Sequence, residues 1–147
     1  MADSVSIKFS LEDAIKGLDN LAEGMKDEVR PAAQAGAQVL YDEVLRRVPV
    51  SKKPRKRKGR IIQPGALRSS IYQVFSQDNS DEKRSTYHVS WNRRKAPHGH
   101  LVEFGTARSA ATPFLRPAFD AKRDAALEAA RKRFVEGGRK VIAGVKK

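Results

Sequence analysis

The chain contains no cysteine. Disulfide frameworks, thiolate metal sites and cysteine nucleophiles are therefore excluded, and stability has to come from packing, to which partner subunits could add. Nor is there a run approaching the roughly 20 apolar residues that a bilayer-spanning helix requires. The opening residues Met1-Ala2-Asp3-Ser4 lack the basic-then-apolar layout of an export signal, so a soluble protein made in the cytosol, with no membrane partner, is expected. Acidic residues are missing from positions 51–70, which carry eight Lys or Arg. Residues 121–147 carry nine basic against three acidic residues, whereas residues 1–50 carry six against nine. The net charge of +13 is thus concentrated in one loop and the C-terminal segment, which points to a polyanionic neighbour for those parts, either nucleic acid or an acidic protein surface.

What remains is enough for one core. With 147 residues and 39% hydrophobic content, a single domain over residues 1–138 is expected, followed by a basic tail at 139–147. Val5, Ile7 and Phe9 alternate with polar residues in the two-residue period of a strand. Ser10 and Asp13 then approximate a capping box. Leu11, Ile15, Leu18, Leu21 and Met25 recur at helical spacing, which predicts a helix over 11–25. Pro31 costs about 3 kcal/mol inside a helix but is tolerated in a first turn, so a second helix is predicted over 29–47. Its stripe is Ala33, Ala37, Leu40, Val44 and Val48, and the small Ala33, Gly36 and Ala37 would admit a close neighbour.

Residues 51–65 hold two prolines, two glycines and no apolar period, the pattern of a long mobile loop. Beyond a helical turn at Ala66–Ser70, alternation from Ile71 to Ser76 and from Tyr87 to Trp91 predicts an antiparallel pair joined through Asp78–Lys83. Thr112 and Pro113 suit the start of a last helix, with Leu115, Phe119, Ala126, Ala130 and Phe134 on its buried side and Gly137-Gly138 as its stop. The fold class read from these elements is α+β: a small antiparallel sheet packed by about three helices, with a long basic loop and a basic C-terminal tail.

Catalytic chemistry has little support. His98, His100 and Glu103 contain metal-ligand types, but all three come from one short span and no further histidine stands at a metal-typical spacing. Ser69 and Ser70 lack a glycine-flanked nucleophile elbow. No glycine pattern opens a helix to cradle phosphate. No catalytic residue, metal or cofactor is therefore expected. The loud feature is Lys52, Lys53, Arg55, Lys56, Arg57, Lys58 and Arg60. Each is a candidate contact to DNA phosphate or to an acidic partner. Without interleaved aromatics the run lacks a base-stacking platform, so any contact to DNA would be nonspecific.

Two further segments are distinctive. Pro64-Gly65-Ala66-Leu67-Arg68-Ser69-Ser70-Ile71 is followed, after the hairpin, by Ala96-Pro97-His98-Gly99-His100-Leu101-Val102-Glu103-Phe104-Gly105-Thr106. Ala111-Thr112-Pro113-Phe114-Leu115-Arg116-Pro117-Ala118-Phe119 then completes the set. In this order they resemble the tail-component family of long-tailed lambdoid bacteriophages, which comprises tail-completion, minor tail and head-tail joining proteins. The resemblance runs from about residue 30 to 135. Two departures stand out: the basic stretch is inserted after Val48-Pro49-Val50, and His98-Gly99-His100 replaces an aromatic before the glutamate motif.

The resemblance implies a structural virion protein, synthesised in the host cytoplasm and located at the head-tail junction or upper tail, acting as one copy in a ring. Its partners would be other copies of itself, neighbouring neck and tail proteins, and the DNA passing through. A tail terminator capping the tail tube is the alternative within the same class, and a free nonspecific DNA-binding protein the alternative outside it. Gly65, Leu67, Arg68, Ser70, Val102, Glu103, Phe104, Gly105, Thr106, Pro113, Phe114, Leu115, Arg116 and Pro117 are then motif residues. Phe104 is expected to anchor in the core and Gly105 to turn the chain. Glu103 is expected to form a buried or interfacial ion pair with Arg68 or Arg116, whose loss would cost about 3 to 5 kcal/mol.

Overall fold

The computed structural model describes residues 10–57 and 59–145. The strand expected at Val5–Phe9 and the side chain of Asp13 lie outside the described residues. The elements run α1 (Leu11–Arg47), β1 (Arg55–Arg57), β2 (Arg60–Ile62), a 3-10 turn (Arg68–Ser70), β3 (Ile71–Asp81), β4 (Arg84–Trp91), α2 (Gly99–Phe104) and α3 (Leu115–Val145). Among the described residues, three helices and two antiparallel pairs of strands make this an α+β protein.

α1 is one helix of 37 residues, where a break at Pro31 was expected. Ser10 stands at its start, its carbonyl accepting the Ala14 N–H at 3.2 Å. Pro31 removes one ladder hydrogen bond, yet the turns on either side of it are pinned to other elements. Glu28 accepts from Arg133 of α3 at 2.7 Å, Arg30 lies 4.2 Å over the Phe75 ring of β3, and Ala32 is buried. These contacts hold both halves on one axis.

α3 lies antiparallel against α1: Gly24 faces Val141, Glu28 faces Gly137 and Gly36 faces Ala126. At Gly36 an added Cβ would stand 2.9 Å from the Ala126 carbonyl oxygen, so the close neighbour that the small residues admit is α3. The expected stop at Gly137-Gly138 is overturned, because α3 continues to Val145. Both glycines are buried against α1, where a Cβ on Gly137 would overlap the Glu28 carboxylate. They act as clearance for the helix contact, and the segment expected as a tail is helical as far as Val145.

β3 and β4 pair antiparallel, with Ile71 opposite Trp91, Gln73 opposite Val89 and Phe75 opposite Tyr87. The strands run on to Asp81 and Arg84, so the turn is shorter than the expected polar connection. Period two is visible in burial: Ile71 is buried, whereas Tyr72 and Val74 on the other face are exposed. The basic stretch is no loop throughout, since β1 and β2 form a short hairpin with Arg55 opposite Ile62. Gly59 at φ 76° supplies the left-handed residue that its tight turn needs.

The core gathers Val44 and Val48 of α1, Leu67, Ile71, Trp91, Ala96, and Phe114 and Ala118 from the start of α3. Phe114 is fully buried and meets Trp91 edge-on at 6.0 Å. Among the described residues, no helix is long and apolar enough to cross a membrane.

Candidate assembly elements and the basic hairpin

The three motif segments meet around Phe114. Gly65, at φ 79°, turns the chain into the 3-10 segment, where the Ser69 N–H donates to the Gly65 carbonyl and the Ser70 hydroxyl to the Leu67 carbonyl at 2.7 Å. Leu67 and Ser70 are buried there, and Arg68 is exposed. α2 delivers Val102, half-buried against the core, and Glu103, which is 4% exposed. Gly105 follows at φ 76°, a conformation costly for any other residue, and a Cβ there would stand 2.8 Å from the Ala111 nitrogen. Thr106 pairs with Ser109, and the Thr112 N–H reaches back to the Val102 carbonyl at 2.8 Å. Pro113 and Pro117 flank the start of α3, where Pro117 falls within the first turn and lacks only an N–H that has no partner inside the helix.

Glu103 pairs with the guanidinium of neither expected arginine within the chain. Its carboxylate accepts the backbone N–H groups of Phe114 at 2.7 Å, Leu115 at 3.0 Å and Arg116 at 3.2 Å. These are donors that the first turn of a helix leaves without partners, at the positive end of its dipole. Thr112 was expected in this capping role, and a side chain 11 residues before Phe114 performs it instead. The Arg116 guanidinium lies 5.0 Å over the Phe104 ring. Phe104 is 61% exposed and does not anchor the core; Phe114 takes that place. With Glu103 committed to α3, no group of three or more His, Cys, Asp or Glu among the described residues is placed to hold a metal ion. Phe119, expected in the buried stripe of α3, is 51% exposed.

Beside this core, the β1–β2 hairpin overhangs a cleft of ≈ 640 Å³ whose walls include Val50, Ile62, Leu67, Leu101 and Val102. Arg55 and Lys56 line it as well. Lys52, Lys53, Arg55 and Lys56 are all exposed, and none of these four forms an ion pair among the described residues. Lys58 and the side chains of Arg57 and Arg60 lie outside the described residues.

A family model for the bacteriophage HK97-gp10-like tail component matches residues 12–105. The chain belongs to this family. It is a structural phage tail component, and therefore a protein of the virion. No curated protein and no solved structure matches it.

The tail component also uses a residue that periodicity passed over. Glu43 is buried at the foot of α1, where Arg46 donates to it at 2.6 and 3.0 Å and Arg47 binds the same carboxylate. The hydrogen bonds from Arg46, then from Arg47, outweigh burial and hold its carboxyl down at about 2. The spacing Glu43, Arg46, Arg47 is a helical i, i+3, i+4 pattern and could have been found in the sequence. A depressed carboxylate stabilises the fold above its unfolded value of 4.5, and this contribution is lost as pH falls toward 2. Melting temperature followed from pH 5 to pH 2 should fall less steeply in Glu43→Gln than in the wild type; parallel curves would remove Glu43 from the account.

Proposed function

We propose that this tail component is a ring-forming neck or tail-completion subunit at the head-tail junction, with no catalytic role and no cofactor. One observation carries the reading: the buried residues of the motifs serve the fold. Glu103 fastens α2 to α3, Gly105 makes the turn between them, and Leu67 and Phe114 close the core. A site for turnover needs free polar groups converging on a pocket. Here the buried motif carboxylate is saturated by backbone donors, which suits a rigid scaffold that presents surfaces to neighbours. Those neighbours are other copies of the chain and the adjoining neck and tail proteins. The exposed cations of the hairpin suit a polyanion on the inner or lateral side of such a ring, either the passing DNA, held through its phosphates without sequence preference, or an acidic protein face.

Imaging of purified virions with the chain labelled tests this. Label in a ring between capsid and tail is the expected result. Label at the top of a tail that has no head would favour a tail terminator, and a chain missing from mature particles would overturn both.

A further inference from the structure

The apolar face of α1 that α3 covers does not stop where α3 stops. Gly24 faces Val141, so the described end of α3 at Val145 lies near residue 20 of α1. Counted at 100° per residue, Leu18, Ile15 and Leu11 continue the line of Gly36, Val29 and Met25. They are 65%, 50% and 68% exposed. Two exposed carboxylates, Glu12 and Asp19, flank this stripe on one side.

Beyond the opposite end of α1 is a partly apolar cleft of opposite charge. The cleft under the β1–β2 hairpin has Val50, Ile62 and Leu101 on its walls, together with Arg55 and Lys56, which form no ion pair among the described residues. Lys52 and Lys53 do not line it. The arm cannot reach the cleft of its own chain: Leu18 precedes Arg47 by 29 residues of one helix, roughly 40 Å.

We infer that the N-terminal arm of α1, through Leu11, Ile15 and Leu18, docks in the cleft beneath the basic hairpin of a second copy, with Glu12 and Asp19 facing its Arg55 and Lys56. The contact is a helix laid in an apolar groove. Because arm and cleft are different surfaces of one chain, repetition is head-to-tail and closes into a ring if the rotation permits. This rests on the ring reading of the proposed function and adds which surfaces meet.

Charge reversal at exposed positions tests it with the full chain. By sedimentation over a concentration series, Glu12→Lys/Asp19→Lys and Arg55→Glu/Lys56→Glu should each weaken self-association about tenfold or more. An equimolar mixture of the two should restore it, since each variant's arm then matches the other's cleft. As a second measurement, the cysteine-free background allows Ile15→Cys in one copy and Ile62→Cys in another to be paired. A disulfide-linked dimer from that mixture, absent from either variant alone, is the expected result.

Wild-type assembly matched by both reversal variants would leave the ring standing and overturn the arm-in-cleft contact. Reversal at Arg55 and Lys56 that abolishes duplex DNA retention at low salt but leaves assembly unchanged would assign those cations to DNA and overturn it too. A chain that stays monomeric, with its Ile15→Cys thiol shielded from alkylation, would mean that the stripe is covered within one copy and would overturn the contact. A monomer with that thiol reactive, together with virions lacking a ring of this chain, would sink the ring reading itself.

Discussion

Phe114→Ala is expected to lower stability by about 3–5 kcal/mol, the loss that truncation of a fully buried aromatic side chain brings. Phe114 is fully buried, and from its place just ahead of α3 it closes the core with Trp91, Leu67 and Ile71. Truncation there removes apolar contact and opens a cavity between elements that come from distant parts of the chain, so neighbours cannot collapse into it cheaply. For a domain of this size the melting temperature should drop by roughly 10 °C or more. The control is Phe104→Ala, ten residues earlier and 61% exposed, where a change of under about 1 kcal/mol is expected. Thermal unfolding of the two variants side by side decides the matter. Equal losses would mean that the aromatic of the α2 motif anchors the core after all.

The same pair of residues shows where the sequence was legible and where it was not. Features set by local geometry could be read directly: the apolar stripe of α1, the pairing of β3 with β4, the period-two burial at the start of β3, the turn at Gly105 and the close approach at Gly36. Features set by contacts between distant residues could not. Pro31 lies inside a helix because Glu28 reaches Arg133, more than 100 positions away. Gly137 and Gly138 carry the ordinary signature of a helix stop, and only the packing of Glu28 and Met25 against them shows that they are clearance for a neighbouring helix. Residues 55–62 show no strand period because three-residue strands are too short to display one. Of the candidate site, the motif segments were recognisable, but both Phe104 and Phe114 sit in apolar surroundings in the sequence. Nothing local says which one faces inward.

Glu103 is the sharper case. A buried or interfacial ion pair was expected; Glu103 is buried and its partners are backbone N–H groups, because charge pairing considers side chains and overlooks the N-terminus of a helix as a cation equivalent. Glu103→Ala should cost about 3 kcal/mol: it leaves the buried N–H of Phe114 without an acceptor, strips two further donors of the first turn, and removes the negative charge from the dipole's positive end. The loss should appear as fraying of α3 from its start, so amide exchange at Phe114, Leu115 and Arg116 should accelerate more than exchange in mid-helix. Glu103→Gln, which keeps one acceptor oxygen, should fall between alanine and wild type. Arg68→Ala should be close to neutral, and Arg116→Ala should lose only its stacking on exposed Phe104, about 0.5–1 kcal/mol. The ordering separates two physical accounts. If either arginine variant matched Glu103→Ala in melting temperature, a side-chain ion pair would hold the motif together. If the glutamate alone matters, the motif is a helix cap built from a remote carboxylate, and it ties α2 to α3 as one body.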